Sequence, residues 1–549
     1  MRFRQAGGVN SIDNFARSWQ RAACFPEVFP RRPSFATVDS DEEWQSSSGN
    51  FIRSLGSSHV DLDPALTRPL FGDNGVGSGQ RDGISSTSHL EPTLGTSYGS
   101  VSSRVSESAR KHVIEFHRQQ QLIPLLVKQV QHEDGTRESI VVGQSTVPQT
   151  VFNSVNVLIG VGLLSLPLAM KHAGWLFGLT FLLFAAIATS YTAKILAKCL
   201  DVDRGLVTYA DLAYISFGHR ARLVVSFLFC MELLGACVAL VVLFADSLHV
   251  LFPELSITQW QIICGLMLVP LSFIPLRLLS VTSILGILSC TSIVAITCID
   301  GFIKPHAPGS LREPAQTHLL PENWGTVPLS FGLIMSPWGG HGVFPNIYRD
   351  MRHPHKYGRS LWVTYIFTYS LDCAMAVLGW MMFGDTIRDE VTANVLTMNE
   401  YPQLLSICII ISVAVIPITK IPLNCRPLVA TVEILCGLGV RNEINTDRTD
   451  RDLVVRQVLR TLIRIMVVAI IVVMAIIFPS FDRIMALMGS ALCFTICIIL
   501  PLTFYLKIFG KKIDPRERIL DYFLLIISSV LAVIGTVWAF LPQVTIVSV

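Results

Sequence analysis

This sequence predicts an all-α polytopic membrane protein with two interrupted spans, and three observations lead there. Of its 549 residues, 51% are hydrophobic and only 15% charged, with a mean hydropathy of +0.52, whereas soluble globular chains are about 25% charged. The apolar residues gather into eleven segments of membrane length, since about 20 residues at a rise of about 1.5 Å cross a hydrocarbon core of about 30 Å. Two of these segments carry glycine and proline in their middles, and in lipid a broken helix survives only where the freed backbone is buried in protein or lines a cavity.

The spans are read at 152–170, 174–197, 222–248, 257–276, 279–302, 327–348, 360–383, 401–423, 455–478, 484–506 and 519–541. The first is weakened by Gly160, Gly162 and Pro167, and the sixth by Pro337, Gly339, Gly340, Gly342 and Pro345. First and sixth are corresponding positions if the chain is built from two inverted five-span repeats, and a matched pair of broken segments is the best sequence pointer to the site of a secondary transporter. Lys and Arg crowd the connections around 194–222, 349–359, 441–460 and 507–518, while the opposite connections hold only Lys171, Lys304, Arg312, Arg388 and Arg483. The positive-inside rule therefore places the N-terminus in the cytosol and the C-terminus in the lumen or exterior. The net charge of +3 conceals this asymmetry.

Three regions follow: a cytosolic tail at 1–145, a transmembrane domain at 146–541 and a short luminal tail at 542–549. The first tail is expected to be largely disordered because of its Ser/Gly-rich run from Asp73 to Ser108. Within it, two short strands are expected about a turn at His132-Glu-Asp-Gly135, packing under the cytosolic mouth, and Tyr98-Gly-Ser-Val101 matches a short tyrosine-type sorting pattern. The opening residues are basic but lack the apolar core of a signal peptide. The thirteen cysteines sit almost entirely in or beside apolar spans, so they are read as small buried side chains, with no metal spacing and no disulfide framework. No phosphate loop occurs, and His353-Pro-His355 has no acidic partner nearby, so an enzyme is not expected, nor a cofactor, nor nucleic acid binding. Oligomeric state is not legible.

Asn156 with Gly160-Val-Gly162-Leu-Leu-Ser-Leu-Pro167, Lys171-His-Ala-Gly-Trp175, Trp338-Gly-Gly-His341 and Phe344-Pro-Asn-Ile-Tyr348 together resemble the amino acid/auxin permease family, and within it the vacuolar and vesicular neutral amino acid transporter branch in a fungal-like form. The resemblance covers about residues 144–540. It implies a five-plus-five inverted repeat with one added helix, the amino acid-polyamine-organocation transporter fold, and transport coupled to protons across the membrane of an acidic organelle.

For an amino acid substrate, the broken spans supply partners without charged side chains. Backbone N–H groups at Gly160, Val161, Gly162 and Leu163 open a half-helix whose positive end suits a carboxylate. Carbonyls before the breaks, around Val157–Ile159 and Met335–Pro337, can accept from an ammonium. Asn156 either lines the site or hydrogen-bonds across spans, and Ser336, Trp338 and Gly339 flank the second break, with Trp338 as a pocket wall. Neither break holds Asp, Glu, Lys or Arg at its centre, so neutral amino acids are expected. A coupling proton needs an ionisable group inside the bilayer. Glu232 in the third span is the first candidate, followed by His341 and Asp372, with Lys420 expected to snorkel to the cytosolic edge. Sodium coupling through Ser412 and Thr419 is disfavoured, because no carboxylate lies near the first break. The expectation is a proton-coupled antiporter loading an acidic vacuole or vesicle. The alternatives are a symporter exporting from the organelle and an amino acid sensor with little flux.

Overall fold

The computed structural model describes Phe15, Arg17 to Trp19, three short strands and, apart from loop positions 204–205, 275, 399, 437 and 439–449, residues 143–541. The Tyr98 pattern, the Ser/Gly-rich run, the turn at 132–135 and the tail at 542–549 lie outside the described residues. Strands β2 (Leu125–Gln131) and β3 (Arg137–Val141) pair antiparallel, with Lys128 opposite Ile140, as expected of strands about that turn. β1 (Phe35–Thr37) adds in parallel to the other edge of β2, a long-range pairing that no local pattern announces. Everything else described is helical or loop.

The first span begins as α1 (Val147–Leu158), with Pro148 in the first turn and Gln149 Oε1 accepting from the Thr146 N–H at 2.9 Å. It stops where Ile159 and Gly160 become extended, resumes as a tight 3-10 turn at Val161–Ser165, and runs into α2 (Leu166–Leu200). α2 is itself two helices, because Gly174 adopts φ +71° inside it. The stretch up to residue 173 ends the first span and the stretch from 175 forms the second. Only glycine suits this corner: φ is left-handed, and a Cβ there would lie 2.7 Å from the Leu320 carbonyl carbon. The N–H groups of Trp175 and Leu176, freed by the corner, donate to the carbonyls of His318 and Leu319 at 3.1 and 3.0 Å, so the 304–326 connection seals this end.

The next helices are α3 (Tyr209–Phe217), α4 (His219–Leu251), α5 (Ile257–Leu271) and α6 (Leu276–Ile303). The sixth span divides into α7 (Val327–Met335), a 3-10 turn at Ser336–Trp338 and α8 (Phe344–Arg349). α9 (Tyr357–Phe383), the short α10 (Val391–Leu396), α11 (Gln403–Leu435) and α12 (Asp450–Ile477) follow. The tenth span is α13 (Phe481–Leu487), a π-helical segment at Met488–Ile499 and α14 (Leu500–Phe509), and α15 (Pro515–Phe540) closes the domain.

Among the described residues, eight helices are long and apolar enough to cross a membrane. The expected spans missing from that set are the first and sixth, which are broken, and the fourth, whose helix α5 has only 15 residues. One boundary is corrected with consequence. The eighth span was expected to end at 423, but α11 continues to Leu435 through Pro417, Pro422 and Pro427, since prolines are tolerated where neighbouring helices re-satisfy the freed backbone. Lys420 therefore sits in the interior of the helix and not at its edge.

Two contacts hold the sixth and second spans. α7 crosses the tenth span backbone to backbone: a Cβ on Gly332 would lie 2.0 Å from the Ala486 carbonyl oxygen, and one on Gly489 would lie 1.8 Å from that of Gly332, the small-residue packing of membrane helices. At the end expected to face the cytosol, Arg349 caps α2, its guanidinium donating to the carbonyls of Leu200 and Leu206 at 2.6 Å each. The π-helical segment frees the carbonyls of Ile496 and Cys497, which accept from Tyr209 OH and Thr192 Oγ1, both at 2.7 Å.

At the opposite end, Glu390 precedes α10 and is buried, with Oε1 accepting from Ser247 Oγ at 3.2 Å and Oε2 unpartnered among the described residues. Burial, followed by the negative charge of Asp246, pushes its carboxyl well above the ordinary glutamate range. A raised acid keeps its proton in the fold after the unfolded chain has lost it, so stability is greatest at low pH and falls as pH rises above about 4.3.

Two predictions follow for thermal unfolding in detergent. Gly332→Val lowers stability by about 3 kcal/mol or more through overpacking, and an unchanged melting temperature contradicts the crossing. Glu390→Gln melts higher than wild type at pH 7 and equally at pH 4, and a pH-independent difference contradicts the buried neutral acid.

Candidate binding site between the two broken helices

The breaks in the first and sixth spans lie against each other. A Cβ on Gly162 would stand 2.9 Å from the Pro337 nitrogen and 3.0 Å from Ser336 Oγ, so the missing side chain is what lets the two turns touch. Beside them is a cavity of about 180 Å³, somewhat roomier than an engineered cavity of about 150 Å³ that takes up benzene. One wall is formed by the breaks themselves, by Asn156 to Gly162 and by Ser336, Pro337, Gly339 and Gly340. The other is largely apolar, built by Phe229, Leu233 and Leu240 of α4 and by Met485 and Met488 of the tenth span.

Two ionisable side chains face this space, Glu232 from α4 and Lys420 from α11. Glu232 Oε1 approaches Gly339, where a Cβ would come within 2.9 Å, and lies 4.0 Å from Cys493 Sγ. Lys420 does not snorkel. Its Nζ donates to the Asn156 carbonyl at 2.6 Å, the Ile159 carbonyl at 2.9 Å and Asn156 Oδ1 at 3.2 Å, so all three ammonium hydrogens bind the end of α1. The carbonyls expected to wait for a substrate ammonium at the first break are thus occupied by a side chain. Both residues were named from the sequence, Glu232 as the first proton candidate and Lys420 as a lysine at the cytosolic edge, and the structure brings both to the cavity from other helices.

The donor side of the first break is different. The helical stretch beginning at Val161 has no preceding turn to accept its first N–H groups, and Asn156 Nδ2 is buried without a partner among the described residues. An unpartnered buried donor costs about 1–3 kcal/mol, so this corner is set up for an acceptor. Asn156, Gly160, Val161, Gly162, Ser336 and Gly339 line the cavity. Leu163 and Trp338 do not: Leu163 is buried in the core, and Trp338 packs behind the break, stacked on Tyr365 with ring centroids 5.5 Å apart.

His341 and Asp372 also lie off the cavity. His341 is fully buried, with Nε2 placed 3.1 Å from the Thr189 carbonyl and 3.0 Å from Thr192 Oγ1, and it ties the second break to α2. Asp372 is buried on α9, and Cys290 of α6 feels both its charge and that of Lys420.

A residue that sequence reasoning did not select closes one end. Trp19, from the N-terminal arm, lines the cavity and is buried. It is held by its neighbours: Ser18 Oγ accepts from Asn153 Nδ2 at 2.8 Å and lies 2.6 Å from Ser145 Oγ, and the Phe15 ring meets Phe152 edge-on at 5.3 Å.

A sequence model of the transmembrane amino acid transporter protein family matches residues 143–541. Among curated relatives, amino acid transporter AVT1I of Arabidopsis thaliana is 31% identical over 412 residues, covering 72% of this chain and 94% of the relative. Amino acid transporter AVT1E of the same plant is 32% identical over 409 residues, covering 71% and 72%. Among solved structures, MhsT in complex with L-phenylalanine aligns with a TM-score of 0.46 at 12% identity, over 71% of this chain and 98% of that one. The chain belongs to the transmembrane amino acid transporter family, as its motifs implied, and is an integral membrane transporter and not an enzyme.

Trp19→Ala removes the ring from the cavity's end, and the expected outcome is a faster initial uptake of amino acid by protein reconstituted in liposomes. A rate equal to wild type, with equal protein incorporated, makes Trp19 a passive wall.

Proposed function

We propose that this chain is a proton-driven antiporter that carries neutral amino acids from the cytosol into an acidic vacuole or vesicle by alternating access about the two breaks. The observation that carries this reading is the cavity where both breaks meet, which offers backbone donors, backbone acceptors and one acid and one base from neighbouring helices. The substrate carboxylate takes the N–H groups at Val161 and Gly162 together with Asn156 Nδ2, where the helix dipole favours an anion. The ammonium takes carbonyls before the breaks, and the side chain enters the apolar wall of Phe229, Leu240 and Met488. A single amino acid suits the cavity volume, and neither break carries Asp, Glu, Lys or Arg at its centre to meet a charged substrate side chain.

The orientation rests on the Lys and Arg asymmetry of the connections, and the acidic organelle on the resemblance to the vacuolar and vesicular branch. Coupling to protons is supported by Glu232 and Lys420, ionisable groups at membrane depth that are functional candidates by default. A sodium ion at the first break would need carbonyls that an ammonium already holds.

Two measurements on the full chain in liposomes test this. Glutamine or isoleucine accumulates when the luminal side is acid and not when the gradient is reversed, equally in sodium and choline media, and accumulation with the opposite gradient contradicts antiport. Arginine enters at least about tenfold more slowly, a discrimination of about 1.4 kcal/mol, and uptake equal to that of glutamine removes the neutral assignment.

A further inference from the structure

Lys420 and an amino acid present the same chemical group, an ammonium, to one set of acceptors. The carbonyls of Asn156, in the last turn of α1, and of Ile159, just after it, both accept from the Lys420 ammonium, which also bonds Asn156 Oδ1, and both residues line the cavity. Two ammonium groups cannot occupy these oxygens together, because their charges repel and the acceptors converge on one point. We infer that Lys420 is the coupling residue of this transporter, and that its ammonium and that of the substrate exclude each other from the α1 carbonyls. The inference rests on the antiport reading and supplies its stoichiometry.

The cycle then balances. When the cavity faces the cytosol, the arriving amino acid takes the carbonyls, and Lys420 gives up one proton to cytosolic water and remains as a neutral amine. When the cavity faces the acidic lumen, a luminal proton returns to Nζ, the ammonium retakes the carbonyls and the amino acid leaves. One proton moves out of the lumen for each amino acid moved in, and no carrier state holds both. The device requires Lys420 to lie deep in the structure with its stem packed, and it does: the lysine stem reaches across Gly286 of α6, where a Cβ would lie 3.4 Å from Lys420 Cε.

The ionisable groups around it are few. Glu232 on α4 shares the cavity, Cys290 on α6 lies within electrostatic reach of Lys420, and Asp372 on α9 within that of Cys290. α1 contributes none, and the half-helix after the break carries Lys171 and His172 only at its far end. Glu232 is thus the one rival for the proton on the cavity wall.

The test is binding of glutamine or isoleucine to the purified full chain by titration calorimetry, repeated in buffers of different ionisation enthalpy. Wild type is expected to release about one proton per amino acid bound, and its affinity to weaken towards a limit of tenfold for each unit of falling pH. Lys420→Met is expected to bind with no proton release and no pH dependence, and Lys420→Arg, which never loses its charge, to bind weakly at every pH. Proton release in Glu232→Gln is expected to persist, which keeps the idea testable if both lysine variants fail to fold. Release that persists in Lys420→Met, or vanishes in Glu232→Gln, overturns the inference and leaves antiport standing. A wild type that neither releases protons nor accumulates substrate against a pH gradient overturns the antiport reading itself.

Discussion

Inside a bilayer no water is available to a broken backbone, so each hydrogen-bonding group that a helix gives up must find another partner. The interruption at Ile159–Gly160 creates two such debts in one place. The carbonyls at the end of the first break's leading helix are met by the Lys420 ammonium, which explains a half-buried lysine inside α11 that bonds no carboxylate among the described residues. The N–H groups that open at Val161 have no equivalent side chain. Much of the remaining architecture serves this asymmetry. Gly162 brings the second break within contact, and the amide of Asn156 gives Lys420 its oxygen while its nitrogen stays buried without a partner among the described residues.

The same arrangement is fixed at several points. The half-helix after the break is anchored by the Gly174 corner, whose freed N–H groups bond to the 304–326 connection. α7 is pinned against the tenth span at Gly332 and Gly489, and His341 fastens the second break to α2. α1 is tied to α11 by one ammonium and to the N-terminal arm through Ser18. At its start Ser145 pairs with residues 350–352, its N–H donating to the Asp350 carbonyl at 2.7 Å and its carbonyl accepting from the Arg352 N–H at 2.9 Å.

Both breaks were legible in the sequence because their cause is local: glycine and proline weaken a helix wherever they fall. The membrane character of the chain was equally plain, since it depends on composition. Lys420 was not legible for two reasons. The expected span stopped at 423, short of Pro427, and so placed the lysine at a membrane edge, and its partners at Asn156 and Ile159 come from a distant span, which a single sequence does not pair. Trp19 escaped notice because its contacts are also long-range and its segment has no apolar periodicity of its own. Trp338 was assigned to the cavity on depth alone. Around a break the helical period is lost, so depth does not tell which way a side chain points, and the ring stacks on Tyr365.

The central claim is that a zwitterion sits where the two interrupted helices meet, held mainly by their backbone. A cryo-electron microscopy map of the protein with bound glutamine or isoleucine tests it most directly. The account predicts ligand density between residues 160–163 and 336–339, with the carboxylate against the N–H groups that follow Gly160. Density at another position, or a first span running as one unbroken helix through residues 158–166, contradicts it.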